Sequence, residues 1–103
     1  METLLLKGDI TQYLFTHLKN WNLDDTSIKR TFVFKTFVDA FSFMSAVALE
    51  AEKMDHHPDW SNSYNQVSIS LHTHSASGIT QKDFDLAGKI DKVYKRFESS
   101  PAN

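Results

Sequence analysis

Val67-Ser68-Ile69-Ser70-Leu71-His72-Thr73-His74 alternates without a break. Val67, Ile69, Leu71 and Thr73 take one side, and Ser68, Ser70, His72 and His74 take the other. A period of two marks a strand with one buried and one polar face. Just upstream, Trp60 to Tyr64 reads as a short strand, with Asn65 as a turn residue. Further back, Ile28 to Lys35 alternates loosely. Ile28, Phe32 and Phe34 share a face, Arg30 interrupts it, and Thr31, Phe32 and Val33 favour a strand. Trp21-Asn22-Leu23 is a fourth short strand, separated from the previous one by the turn cluster Asp24-Asp25-Thr26.

Between and around these strands the period changes to that of a helix. Thr36 with Asp39 is a helix start, and Phe37, Phe41, Met44, Ala48 and Ala51 form one stripe with Ala40, Phe43 and Val47 beside it. The spacing predicts a helix over 37–54, stopped by Pro58. Asp9 with Gln12 opens a first helix over 9–19, carrying Ile10, Leu14 and Leu18. Thr80 with Asp83 opens a last one, with Phe84, Ala87, Ile90, Val93 or Tyr94, and Phe97 on its buried stripe. The order is α-β-β-α-β-β-α. Consecutive strands on short links make this an α+β fold, a four-stranded antiparallel sheet with three helices packed on one face. Five of the eight Phe lie between Phe32 and Phe43, where they read as core between a strand and the helix after it.

At 103 residues the chain is read as a single domain, 1–103. Lys and Arg total 11 against 13 Asp and Glu, a net charge of −2, so the basic footprint of a direct nucleic-acid binder is missing. The chain has no cysteine, which excludes disulfides, thiolate metal sites, iron–sulfur clusters and a cysteine nucleophile, and favours an intracellular compartment. Apolar runs such as Leu4-Leu5-Leu6 are far too short to span a membrane, and residues 1–8 lack the pattern of a signal peptide. The tail Glu98 to Asn103 reads as frayed.

The chemistry concentrates in the imidazoles. Four of five His, namely His56, His57, His72 and His74, fall within nineteen residues, while His17 reads as solvated surface. Three readings compete. The four can be exposed polar residues that happen to cluster. Two His on a strand with a third nearby can hold zinc, although adjacent His56 and His57 do not easily aim at one ion. Or they are general acids and bases, since imidazole gains and loses a proton near neutrality. Glu52 lies one helical turn before His56, either as an exposed helix residue or as a partner to it. Asp83 is either a capping acid or an acid brought close to His74 across the tight loop at Gly78. Trp60 and Tyr64 can pack in the core or line a pocket for a planar ligand. Gly88 reads as a packing site in the last helix.

The run Ala51-Glu52-Lys53-Met54-Asp55-His56-His57-Pro58-Asp59-Trp60 closely resembles the signature of the pterin-4a-carbinolamine dehydratases. The similarity continues through Tyr64-Asn65-Gln66-Val67, Leu71-His72-Thr73-His74, Gly78-Ile79-Thr80 and Asp83-Phe84-Asp85-Leu86-Ala87, and covers about residues 20–95. The resemblance implies a hydro-lyase that removes water from 4a-hydroxytetrahydropterin to give quinonoid dihydropterin. Such an enzyme recycles the tetrahydrobiopterin cofactor of aromatic amino-acid hydroxylases and uses no metal or cofactor of its own. It implies His56, His57, His74 and Asp83 as the catalytic set, with Glu52, Trp60, Tyr64, Thr73 and Ser75 as substrate-binding residues. His56 and His74 are expected to share the acid and base roles, undivided at this stage. His57 is expected to position the pterin or relay a proton, and Asp83 to orient His74. The family also implies a homodimer or homotetramer, a cytoplasmic and in some members nuclear location, and an alternative role as a dimerisation cofactor of a homeodomain transcription factor. Two positions depart from the pattern. His72 stands where relatives often carry a small hydroxyl residue, and Asp85 where they often carry a neutral polar one.

Overall fold

Two tight turns and one long helix assemble the sheet. In the computed structural model, which describes residues 3–98, the elements run α1 (Lys7–His17), β1 (Asn22–Asp24), β2 (Ser27–Val33), α2 (Phe37–Met54), β3 (Asp59–Ser63), β4 (Gln66–Leu71), a 3-10 turn (His74–Ala76) and α3 (Gln81–Glu98). Asp25-Thr26 closes the first hairpin, with Asp24 opposite Ser27, and Tyr64-Asn65 closes the second, with Ser63 opposite Gln66. Asp25 and Tyr64 take the positive φ these turns need, 57° and 50°. The hairpins join through β2 and β4, with Ile28 opposite Leu71 and Phe32 opposite Val67, giving the all-antiparallel order β1-β2-β4-β3. Ile28, Phe32, Val67, Ile69 and Leu71 point at the helices and are buried. On the open face the hydroxyls of Thr31 and Ser68 meet across the strands at 3.2 Å.

The expected element order stands, and α2 keeps the predicted bounds of 37–54. Its start is a side-chain cap, the Asp39 N–H donating to Thr36 Oγ1 at 3.0 Å. Its end is not made by Pro58. The helix stops one turn earlier, where Asp55 adopts the left-handed conformation (φ 52°, ψ 42°), the His56 N–H bonds the Ala51 carbonyl and the Asp55 N–H bonds that of Glu52. This is a Schellman cap. It turns the chain sharply and sets the direction in which His56 leaves the helix.

Several local expectations shift. The helix α1 starts at Lys7 after an uncapped Leu6, so Asp9 lies inside the first turn and forms no capping pair with Gln12. There its carboxylate still faces the positive helix end. The strand β4 ends at Leu71, because Thr73 pairs with Gly78 and the chain tightens into the 3-10 turn. The alternation of side chains survives past that end: Thr73 is buried while His72 and His74 stay on the other side. Gly78 has no positive φ; that falls on Ser77. Instead, a Cβ at Gly78 would sit 2.5 Å from Leu4 Cδ1. Gly88 has open space around it and is not a packing site. Of the tail expected to fray, 98–103, Glu98 still belongs to α3 and 99–103 lie outside the described residues.

The largest revision concerns α2. Its buried stripe is Ala40, Phe43, Val47 and Ala51, while Phe37 and Phe41 are about half exposed. The small Ala40 lets the helix approach the sheet, and Phe43 fills the space above Phe32 and Phe34 at 4.9 Å from each ring. Tyr94 and Phe97 of α3 close this aromatic cluster edge-on, and Leu86, which the stripe reading of α3 omitted, is fully buried. Ring pairs of this kind add about 0.5–1.5 kcal/mol each beyond burial. Arg30, which interrupts the apolar face of β2, lies on that face after all. Its guanidinium sits 4.4 Å from the Phe32 ring centre and 2.7 Å from Asp91 Oδ1, which also accepts from the Trp21 indole N–H at 2.9 Å.

Candidate active site

The end of α2, the end of β4 and the start of α3 converge, and each delivers part of one cleft. Its volume is about 330 Å³, and His56, His57, His72, His74, Ser75 and Lys82 line it together with Asp55 and Asp59. That is the low end of the size range of ligand pockets, about 300–1,000 Å³. A larger hollow of about 480 Å³ lies on the open sheet face around Trp60, Ser61, Ser68 and Ser70. It contains no imidazole, whereas four imidazoles line the cleft.

His56 leaves the α2 cap nearly buried, with Nε2 2.7 Å from Asp83 Oδ1. Asp83 is wholly buried, and its other oxygen accepts from Thr73 Oγ1 at 2.8 Å and from the Thr80 N–H at 2.9 Å. The Thr73 hydroxyl spends its proton on Asp83, so at 2.8 Å it accepts from the Thr80 hydroxyl, which in turn accepts from the Lys82 N–H. Every hydrogen bond in this chain has its donor fixed, and every one runs toward the carboxylate. Among the described residues no buried side-chain nitrogen or oxygen is left without a partner. A carboxylate already held by two donors accepts from His56 Nε2–H as the third, fixing that ring's tautomer and leaving Nδ1 as the nitrogen for a ligand.

Asp83 therefore combines both roles the sequence offered, capping acid and imidazole partner, but its imidazole is His56 and not His74. His74 is exposed on the 3-10 turn, its Nδ1 3.1 Å from His72 Nε2. Glu52 bonds His57, at 2.9 Å, and not His56. Both of these groups are exposed. Thr73 lines the cleft, yet its hydroxyl is committed to Asp83. Ser75 lines the cleft as expected. Trp60 and Tyr64 lie elsewhere: Trp60 packs partly against the core, opposite Ile69, and Tyr64 stands exposed at the tip of the second hairpin. Asp85 bonds Gln81 on the surface of α3. Asp55, Asp59 and Lys82 line the cleft without having been singled out. The two acids flank the His-His-Pro run, and Lys82 adjoins Asp83, so proximity to the motif was their only signal.

A one-faced α+β sheet thus carries a buried Asp–His pair beside an open cleft lined by imidazoles. The family model for pterin 4 alpha carbinolamine dehydratase matches residues 3–93. A protein of Mesorhizobium japonicum that carries the pterin-4-alpha-carbinolamine dehydratase name provisionally is 52% identical over 92 residues, covering 87% of this chain and 93% of its own. A Rhodospirillum rubrum protein named in the same way is 57% identical over 68 residues, 66% of this chain and 71% of its own. The crystal structure of a transcriptional coactivator/pterin dehydratase from Brucella melitensis superposes with a TM-score of 0.85 at 40% identity, covering 89% of this chain and 99% of that one. A pterin dehydratase-like protein identified as a RuBisCO assembly factor in the alpha-carboxysome shares the fold alone, with a TM-score of 0.61 at 17% identity over 72% of this chain and 86% of its own. The chain belongs to the pterin-4a-carbinolamine dehydratase family, a family of hydro-lyases.

Proposed function

We propose that the chain dehydrates 4a-hydroxytetrahydropterin to quinonoid dihydropterin, with His56 as general acid and His74 as general base. The observation that carries this reading is the buried His56–Asp83 pair opening onto the same cleft as His74. The reaction breaks the C4a–O bond and the N5–H bond and forms the C4a=N5 double bond. The leaving hydroxyl takes a proton and departs as water, and N5 gives one up. An imidazolium at His56 has the Asp83 carboxylate beside it at 2.7 Å, so its positive charge is balanced inside the protein, and Nδ1–H is the proton it can give. Among the described residues the hydrogen-bonded partner of the His74 ring is another imidazole, His72, and not a carboxylate, and His74 serves as the acceptor. His57, tethered to Glu52, and Ser75 are placed to hold the pterin ring. Positioned acid–base catalysis of this kind supplies about 10²–10⁴-fold in rate. The test is dehydration of a chemically generated 4a-hydroxytetrahydropterin; a folded protein that leaves the uncatalysed rate unchanged overturns the proposal. In the cell the activity would restore the pterin cofactor of aromatic amino-acid hydroxylases. A chain free of cysteine suits the reducing cytoplasm, and among the described residues no helix is long and apolar enough to cross a membrane.

The exposed face of α2 supports a second part of the reading, assembly into a homodimer or homotetramer. Phe37, Val38, Phe41 and Leu49 stand on it at 49–69% exposure, and the rings of Phe37 and Phe41 stack at 6.1 Å. Monomers rarely leave such a row of large apolar groups in water. In sedimentation velocity the wild type is expected to run as an oligomer and Phe41→Asp as a smaller species; a monomeric wild type contradicts this. The same face is what a transcription-factor-binding role would use, the role suggested by the coactivator half of the Brucella protein's description.

A further inference from the structure

The geometry points to His72 as a positioning residue that sets the tautomer of His74 and so makes His74 Nε2 the basic nitrogen of the cleft. This inference deepens the proposed function and rests on it for its catalytic consequence. It begins outside the cleft, at the turn between β1 and β2. The Thr26 carbonyl lies 3.3 Å from His72 Nδ1. A carbonyl oxygen can only accept, so His72 Nδ1 carries the proton. In a neutral imidazole the other nitrogen is then a lone pair, and His72 Nε2 must accept. Its partner at 3.1 Å is His74 Nδ1, which therefore donates. One tautomer follows for His74: Nδ1–H toward His72, and a lone pair on Nε2.

The two imidazoles assigned to catalysis thus have different supports. His56 hands its Nε2 proton to an anion that two other donors hold in place. His74 hands its Nδ1 proton to a neutral ring that a backbone carbonyl holds in place. The rings of His72 and His74 meet edge to face, with centroids 4.4 Å apart and planes at 90°. That arrangement leaves the second nitrogen of His74 for a ligand. When Nε2 takes a proton from the substrate, the Nδ1–H bond to His72 becomes a charge-assisted one and strengthens as charge develops. His72 therefore plays toward His74 the part that the sequence reading gave to Asp83.

The experiment reads the tautomer directly and needs no substrate. Protein labelled with 15N on its histidine rings is examined by long-range 15N–1H correlation at a pH where the rings are neutral, in wild type, His72→Gln and His72→Phe. The inference expects His74 to be protonated on Nδ1 in wild type and in His72→Gln, whose amide oxygen keeps an acceptor near the same place. In His72→Phe it expects a shift to the Nε2–H form that histidine favours in water. It also expects kcat/KM in His72→Phe to fall about three- to tenfold with KM nearly unchanged, the scale of one partly exposed hydrogen bond. His74 protonated on Nε2 in wild type, or a tautomer or rate that ignores His72→Phe, overturns it. A wild type with the expected tautomer but no dehydratase activity strikes the functional reading and the catalytic consequence together, while the tautomer assignment stands.

Discussion

Asp83→Asn is expected to lower the dehydration rate by about 10²–10⁴-fold in a protein that still folds. The substitution keeps shape and volume but replaces one acceptor oxygen by an NH₂ donor. Every group that meets Asp83 is itself a donor: His56 Nε2–H on one oxygen, and Thr73 Oγ1–H and the Thr80 N–H on the other. The amide must therefore turn its NH₂ toward one side. Turned to Thr73 and Thr80, it opposes two donors with its own hydrogens and loosens the start of α3. Turned to His56, it forces Nε2 to accept, moves the ring proton to Nδ1 and leaves no anion to balance a second proton on the ring. Either arrangement costs about 1–3 kcal/mol of stability, the scale of a buried group left with the wrong partner. Rate and melting temperature measured together separate the two effects. A folded Asp83→Asn within a few-fold of the wild-type rate would mean that His56 does not work through this carboxylate.

The second large effect is structural and lies further along α3, away from the cleft. Asp91→Ala is expected to cost about 3 kcal/mol, because it strands the Arg30 guanidinium and the Trp21 indole N–H in a largely enclosed site. For a domain of this size that lowers Tm on the order of 10–20 °C. Burial pushes the Asp91 carboxyl above its ordinary range, and the Trp21 N–H and Arg30 guanidinium pull it only part of the way back. Ionised Asp91 is thus costly to bury, and its pair with Arg30 is not a strong net stabiliser. Replacing both charges with apolar groups, as in Arg30→Met with Asp91→Leu, is expected to cost less than Asp91→Ala alone. The sign of the pH effect follows from the same shift. A carboxyl that binds its proton more tightly folded than unfolded favours the folded state below its unfolded pKa, and that contribution is lost as pH rises through the folded value. Thermal melts of the single and double variants check this; a double variant less stable than Asp91→Ala would contradict it.

Both predictions depend on contacts that join residues far apart in the chain, and these are where sequence reading ran out. Local signals were legible. The Thr36–Asp39 cap and the alternation of Val67 to Thr73 place α2 and β4, and short links between strands make the sheet antiparallel. The wide apolar arc of α2 hides which edge faces inward. Phe37 and Phe41 look like core by size, but only a stripe containing Ala40 lets the helix close on the sheet. Size is thus a poor guide when a helix has a second apolar face to present. The imidazole cluster was legible as a set, whereas its pairings were not. Asp83 and His56 are twenty-seven residues apart and meet only because the Schellman cap at Asp55 points His56 toward the start of α3. Helical spacing suggested Glu52 for His56 and the short loop at Gly78 suggested Asp83 for His74; the turn after α2 gives Glu52 to His57 instead, and the packing of α2 beside α3 gives Asp83 to His56.

The most direct test of the acid–base assignment is stopped-flow dehydration of 4a-hydroxytetrahydropterin by wild type, His56→Ala and His74→Ala, each confirmed folded by its thermal melt. The account predicts clear acceleration by wild type, a loss of about 10²–10⁴-fold in each single variant, and a double variant little worse than either, because the two imidazoles act in one step. A folded His56→Ala or His74→Ala that keeps most of the wild-type rate would contradict it.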